Sequence, residues 1–278
     1  MMSDRAWILL PSGKQLDLLA PDPWAWTDDD LAIGLSRTYR WAGYSAWDLP
    51  LSVAQHSLAV LALRRSRFAE HPLPIAEARR ELLHDATEAL MGGWDPITPL
   101  KPHLGPGFSA LVARLQAAVN DRYGLPAWTA ADHAQHKRAD RLAAANEAYH
   151  VVGWPLTAMR EQLGIELAPL DDDPLDLPPD QRPWEPWPPK LAQVSFLREL
   201  QALATDQSSA AAWPASEPAK NAYRGRCASH CRGQHCTWQA PRRGIHQQGG
   251  ERNLIERLRG PVVIIDRHGP HSGDACAD

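Results

Sequence analysis

Residues 81–90 restrict most strongly what the chain can fold into, because they place ionisable groups inside an otherwise apolar helical stretch. The segment reads ELLHDATEAL and carries His84, Asp85 and Glu88 among Leu and Ala. On a helix, His84 and Glu88 are i, i+4 neighbours and Asp85 and Glu88 are i, i+3 neighbours, so the three groups should lie close together. Burying such groups is costly unless they are paired or bind a metal. The segment therefore indicates a functional site on a helical scaffold.

The composition restricts the class of protein. A net charge of −4 gives no indication of a nucleic-acid-binding surface. No apolar run approaches the roughly 18 residues that a membrane span requires, and the N-terminus lacks the apolar core of a signal peptide. The first 226 residues contain no Cys, so the main domain cannot depend on disulfides. We therefore expect a cytoplasmic protein with neither a nucleic acid nor a membrane as partner.

The pattern of apolar residues predicts an all-α domain over residues 1–204 with a short N-terminal β-hairpin over residues 7–19. Thr27 and Asp30 have the spacing of a capping box, which begins a helix that continues to about residue 41. Further helices are predicted over residues 51–63, 74–90, 108–123, 130–152 and 191–203. Residues 92–102 contain three Pro and two Gly, so a loop is predicted there.

Two segments differ in composition from this helical domain. Residues 168–190 are acidic and rich in Pro, which predicts an extended strap, with Trp184 and Trp187 packed on the globule. Residues 205–278 contain all four Cys of the chain, and three of them lie with two His in residues 227–236. We expect a poorly ordered tail here, and a zinc-binding knuckle is the alternative.

Two further residues join the candidate site only when they are considered together. His56 lies on a predicted buried helix, where a single His usually forms core hydrogen bonds, and Asp140 could pair with Lys137 or Arg141. With residues 84–88, however, they supply imidazoles and carboxylates from three separate helices, which is how helical folds build metal sites. A competing ligand set on one helix, which leaves residues 84–88 unexplained, comprises Asp132, His133, His136 and Asp140.

The order of these motifs resembles that of the HD-domain metal-dependent phosphohydrolases. The motifs are VAQHS at residues 53–57, HDATE at 84–88, DPITPLK at 95–101 and ADR at 139–141. They resemble most the bacterial 5′-deoxynucleotidases and the phage-type deoxynucleoside triphosphohydrolases. The hairpin and the sequence LSRTYRWAGY at residues 35–44 resemble the phage-type branch. The resemblance covers roughly residues 7–204 and implies an HD-domain helical bundle.

The resemblance also implies roles for individual residues. Glu88 corresponds to the family's catalytic carboxylate, and Asp95, the second candidate catalytic residue, to an acidic residue in the loop over the sugar or the attacking water. Arg40 and Trp41 correspond to an Arg-aromatic pair that contacts the nucleotide, and the charge of Lys101 makes it a further candidate for substrate binding. The implied metal ligands are His56, His84, Asp85 and Asp140. Two imidazoles and two carboxylates suit one divalent ion, such as Co, Mn, Fe or Zn, with Mg as a further candidate.

The implied activity is the hydrolysis of phosphate from (deoxy)nucleotides, of the 5′-nucleotidase type, by a metal-activated water. One alternative is a dATPase-like triphosphohydrolase of the phage type, and another is a degenerate HD module that binds a nucleotide or partner without turnover. The chain contains neither a GxxxxGK[ST] or GxGxxG phosphate loop nor a GxSxG nucleophile motif. We also expect a homo-oligomer, a dimer or larger.

Overall fold

The fold is mostly helical and carries a small N-terminal hairpin, which confirms the predicted class. A computed structural model describes residues 5–68 and 72–204 of the chain. Strand β1 (Trp7–Leu9) pairs antiparallel with strand β2 (Gln15–Asp17), with Ile8 opposite Leu16. The predicted tail 205–278, with its Cys/His cluster, lies outside the described residues, so the domain boundary at residue 204 stays a prediction.

The described residues form eight α-helices, and most of them begin or end at recognisable capping signals. They are α1 (Asp28–Arg37), α2 (Val53–Arg67), α3 (Ile75–Leu82), α4 (Ala86–Leu90), α5 (Gly105–Tyr123), α6 (Ala130–Asn146), α7 (Leu156–Leu163) and α8 (Pro189–Ala202). The Thr27 side chain accepts from the Asp30 backbone N–H, and the Asp30 side chain accepts from the Thr27 N–H, so the predicted capping box is present.

Helix α1 ends earlier than predicted, because Tyr39 and Arg40, which lie just after it, pair with residues 51–52, just before α2. The prediction extended the helix to about residue 41, but it ends at Arg37. Tyr39 and Ser52 form an antiparallel bridge, and the Arg40 N–H donates to the carbonyl of Leu51 at 2.9 Å. A tight 3₁₀ turn at Trp41–Gly43 follows.

The predicted helix over residues 74–90 is in fact two helices, so that prediction is wrong at its centre. Helix α3 ends at Leu82 and α4 begins at Ala86, which leaves His84 and Asp85 in the turn between them. The His84 side chain donates from Nδ1 to the carbonyl of Glu81 at 2.7 Å. This side-chain bond satisfies a carbonyl at the end of α3 and so favours the break.

Three other elements refine the predictions from sequence. The segment predicted as a loop contains a 3₁₀ helix, Thr98–His103, with Pro102 inside it. Helix α7 was not predicted, although Pro155 precedes it and Gly164, with φ +64°, follows it. The predicted helix 130–152 is α6 continued by a π-helix, Glu147–Val152, and it stops before Gly153 as expected.

The strap over residues 168–190 is attached to the globule by the two predicted tryptophans. Trp187 is buried, and the Trp184 ring stacks on His150 with ring centroids 4.3 Å apart. Gln55 of α2 donates to the carbonyl of Glu185 at 3.0 Å and accepts from the Trp187 N–H at 2.7 Å. The strap is therefore fixed to the residue that precedes His56. Within the described residues, no helix combines the length and apolar character that crossing a membrane requires.

Helices α1 and α4 approach each other closely at Gly34. A Cβ atom added at this residue would lie 2.8 Å from the Cβ of Ala89. We predict that Gly34→Ala lowers the free energy of unfolding by about 1–3 kcal/mol, because overpacking outweighs the gain in helix propensity. Chemical denaturation measures this change.

Gly107 of α5 provides the matched control, because a Cβ there would meet nothing within 4 Å. Gly107→Ala should leave stability unchanged or raise it by up to about 1 kcal/mol. If Gly34→Ala is as stable as Gly107→Ala, the close packing of α1 on α4 is incorrect.

Candidate metal centre

Three separate elements bring metal-binding side chains to one point. His56 comes from α2, His84 from the turn between α3 and α4, and Asp140 from α6. One donor atom from each lies within 4.8 Å of the other two. These are three of the four predicted ligands, so this cluster can bind a metal ion.

The donor separations fit coordination of one ion. The Nε2 atoms of His84 and His56 are 3.3 Å apart, and His56 Nε2 lies 3.5 Å from Asp140 Oδ1. Asp85, the fourth predicted ligand, has Oδ2 at 3.2 Å from His84 Nε2 and 3.5 Å from His56 Nε2. Metal bonds of about 2.1 Å separate neighbouring donors by roughly 3.0–3.4 Å. His56, His84 and Asp140 therefore fit one divalent ion. Asp85 lies beside this three-residue group, and its role as a ligand stays a prediction.

Hydrogen bonds orient both imidazole rings for metal binding. His84 Nδ1 donates to the carbonyl of Glu81, which can only accept, so this nitrogen carries the proton. His56 Nδ1 lies 2.5 Å from Oε1 of Glu147, a carboxylate that likewise accepts. The Nε2 atoms of both rings are left to face each other and the carboxylates. Metal-binding histidines usually have this arrangement.

The electrostatics of the cluster favour a cation. Burial and the Arg40 charge lower the pKa of His56, but Glu147 and Asp140 outweigh them and raise it to about 10. Burial raises the pKa of Asp140, but His56 and His84 hold it well below its usual range. The pKa of Asp85 is also held well below its usual range, since the nearby imidazoles and Arg40 outweigh burial. A divalent ion would supply the positive charge that these groups attract.

The two predicted catalytic carboxylates lie beside this cluster. Burial, together with the charges of Asp85 and Asp95, raises the pKa of Glu88 to about 9. Glu88 is only 3% exposed, and its Oε2 atom has no hydrogen-bond partner among the described residues. Asp95 lies with Oδ2 3.5 Å from Nη1 of Arg40. A buried carboxyl oxygen without a partner is costly and suggests a functional role.

The predicted substrate-binding residues occupy different environments. Arg40 donates from Nε to Glu147 at 2.8 Å, and its Nη1 lies 3.8 Å from Asp85 Oδ2. Trp41 donates from Nε1 to the same Glu147 carboxylate at 3.0 Å. Lys101 is 43% exposed, with Nζ 3.5 Å from Glu88 Oε1. Their roles towards a substrate stay predictions, but all three belong to the network around the cluster.

Glu147 is the principal residue of this network that the sequence interpretation missed. It is buried, and it accepts from His56, Arg40 and Trp41. Arg40 and His56 hold its pKa at about 2 despite burial, so it is ionised. The spacing of seven residues from Asp140, two helical turns, was the available signal.

The turn that Glu147 contacts has an unusual backbone. Trp41 and Ala42 have φ of 55° and 54°, and Gly43 has φ of 80°. Such conformations cost about 1–3 kcal/mol for each non-Gly residue and persist only where surrounding contacts hold them. The Trp41 hydrogen bond to Glu147 is one of these contacts. The strained turn is thus tied to the side chain that orients His56.

The competing ligand set on α6 does not come together. Asp132 takes part in capping α6 with Thr129, and His133 is exposed. His136 donates from Nδ1 to Oε2 of Glu81 at 2.7 Å, and Glu81 also accepts from Arg64. These residues support the helix packing rather than a closed set of ligands.

Comparison with known proteins gives one informative match. No family model matches the chain. An uncharacterized protein of Rhodobacter capsulatus is 42% identical over 153 residues, which cover 54% of this chain and 75% of that protein. The chain belongs to the same family as that protein. Since the relative is itself uncharacterized, the family assignment brings no activity with it, and function has to be argued from the site.

We predict that Asp140→Ala weakens the binding of a divalent metal such as Mn²⁺ or Co²⁺. The loss should exceed the roughly 10- to 100-fold cost typical of removing an outer partner, because a direct ligand is removed. Calorimetric titration of metal into protein stripped by a chelator measures the affinity.

His133→Ala is the matched control, because His133 is an exposed His on the same helix. It should bind metal as the wild type does. Equal affinities for Asp140→Ala and the wild type would contradict the centre, and a selective loss in His133→Ala would favour the ligand set on α6.

Proposed function

We propose that the chain is an HD-domain phosphohydrolase that removes phosphate from (deoxy)nucleotides with the help of one divalent metal ion. The observation that carries this proposal is the convergence of His56, His84 and Asp140. The carboxylate of Asp85 lies within 3.5 Å of both imidazoles. These residues come from the motifs whose order resembles the HD-domain phosphohydrolases. Glu88 and Asp95, which that resemblance makes catalytic, lie beside the same cluster.

The chemistry of the donor set supports a catalytic ion. Two neutral imidazoles and two carboxylates balance the charge of a divalent ion, and four protein ligands leave room for others on a six-coordinate metal. Among the candidates Co, Mn, Fe, Zn and Mg, imidazole ligands favour the transition metals. When bound, the ion would supply Lewis acidity that polarises a phosphoryl oxygen and makes a water molecule acidic enough to react near neutral pH.

Glu88 is the residue best suited to hold or accept a proton. Its Oε2 atom is buried and has no hydrogen-bond partner in the part of the chain that the structure describes, while Oε1 lies 3.5 Å from Lys101 Nζ. The raised pKa of this carboxyl shows that its surroundings favour the protonated form. A nearby divalent charge lowers that pKa, so Glu88 can accept a proton during the reaction and return it afterwards.

The cations around the cluster suit a phosphate group. Arg40 is held in place by Glu147, with Nη1 between Asp85 and Asp95. Lys101 is the more exposed of the two and lies beside Glu88. An exposed ammonium at the edge of a metal cluster can pair with phosphate oxygens. Arg40 can neutralise the charge that accumulates among the carboxylates.

We predict that Glu88→Gln keeps the metal but loses about 100- to 10,000-fold in rate of phosphate release, because a positioned proton acceptor is removed. Phosphate release and metal titration should be measured on the same sample. Glu161→Gln, at an exposed position on α7, is the control and should behave as the wild type. If Glu88→Gln loses its metal as Asp140→Ala does, Glu88 is a ligand instead.

A product assay distinguishes the possible reactions. With Mn²⁺ or Co²⁺ present, the proposal predicts release of inorganic phosphate from deoxynucleoside monophosphates such as dAMP. Release of tripolyphosphate from dATP, with dAMP left intact, would favour the phage-type triphosphohydrolase. Nucleotide binding with no release from either substrate would contradict hydrolysis and favour a degenerate binding module.

A further inference from the structure

We propose that Glu147 is a positioning residue whose two carboxylate oxygens set the metal affinity of His56 and the placement of Arg40 together. No sequence motif singles out this residue. It lies at the first position of the π-helix Glu147–Val152, directly after α6, and is 5% exposed. Single π-turns often occur at functional sites. The inference rests on the metal centre of the proposed function but not on its nucleotide substrate.

The two oxygens of Glu147 have different partners. Oε1 accepts from His56 Nδ1 at 2.5 Å. Oε2 accepts from Arg40 Nε at 2.8 Å and from Trp41 Nε1 at 3.0 Å. Glu147, His56 and Arg40 are largely buried and Trp41 is partly buried, so water cannot easily replace these bonds.

The first oxygen controls how His56 presents itself to the ion. Because Oε1 accepts from Nδ1, the ring keeps its proton on Nδ1 and turns Nε2 towards His84, Asp85 and Asp140. A metal takes the place of the proton on Nε2, so the proton that the ring retains has to be the one on Nδ1. The carboxylate therefore fixes both the tautomer and the direction of the ring.

The second oxygen positions the guanidinium. With Nε held by Glu147, Nη1 of Arg40 lies 3.8 Å from Asp85 and 3.5 Å from Asp95. Asp85 is a proposed metal ligand, so the placement of Arg40 affects the charge that the ion meets. The Glu147 carboxylate thereby connects His56 on α2 with Arg40, which precedes the strained turn.

A glutamine cannot perform both tasks. Glu147→Gln keeps the shape of the side chain but offers one acceptor oxygen in place of two. If that oxygen faces His56, the amide NH₂ meets the donors of Arg40 and Trp41. If the amide NH₂ faces His56 instead, it favours a proton on Nε2, which blocks metal binding. Asp30→Asn is the matched control, because Asp30 is also 5% exposed but its two carboxylate oxygens accept from the Ser12 and Thr27 backbones instead of from residues of the cluster.

The experiment titrates Co²⁺ into chelator-stripped full-length wild type, Glu147→Gln, Glu147→Asp and Asp30→Asn, and records the visible Co²⁺ spectrum and thermal unfolding of each. We expect Glu147→Gln to bind Co²⁺ about 10- to 100-fold more weakly, with a changed spectrum. Glu147→Asp keeps the charge and should recover part of the affinity. Asp30→Asn should bind Co²⁺ as the wild type does, whatever its loss of stability.

Wild-type affinity and spectrum in Glu147→Gln would overturn the proposal, as would an equal loss of affinity in Asp30→Asn, which would indicate general loosening of the fold. If Glu147→Gln fails to fold, wild-type affinity in Glu147→Asp would overturn it, and a reduced affinity would support it. The proposed function fails separately: a wild type that binds Co²⁺ but hydrolyses no nucleotide leaves the role of Glu147 intact.

Discussion

Buried carboxylates need a compensating positive charge, and this requirement governs how α2, α3, α4 and α6 meet. Asp85, Asp140 and Glu147 all have pKa values below the usual range, because imidazoles and Arg40 surround them. Removing such charges from water costs several kcal/mol of desolvation free energy for each ion unless interactions with partners offset it. The compensating imidazoles and Arg40 come from separate elements of the chain, so the charge cluster and the helix packing stabilise each other. A divalent ion would complete the balance.

Most of the fold could be predicted from local signals, and the exceptions have tertiary causes. The hairpin, the Thr27 cap and the ends of α5 and α6 follow from turn and capping residues. The break before Ala86 could not be predicted, since Leu82, Leu83 and their neighbours favour a continuous helix. It occurs where the His84 side chain takes a backbone carbonyl of α3 as its partner. At this point the hydrogen bond of the site residue His84 outweighs the local helix propensity.

The candidate site was predictable where a motif marked it and missed where only packing did. The ordered motifs indicated His56, His84 and Asp140, and these donors lie within 4.8 Å of one another. No motif includes Glu147, because its hydrogen-bond partners His56 and Arg40 are 91 and 107 residues away in the chain. The expected contact of Arg40 with substrate stays a prediction, while the contact of its Nε atom with Glu147 was not foreseen. Residues that hydrogen-bond to a proposed metal ligand are thus identified from three-dimensional contacts and not from sequence motifs.

X-ray absorption of the full-length protein loaded with one equivalent of zinc tests the central claim most directly. The chain also contains Cys227, Cys231 and Cys236, which offer a rival set of ligands. The account predicts a shell of only nitrogen and oxygen atoms at about 2.0–2.2 Å, with the outer-shell scattering of two imidazoles. Sulfur atoms at about 2.3 Å, or a shell without imidazole scattering, would contradict a metal centre built from His56, His84, Asp85 and Asp140.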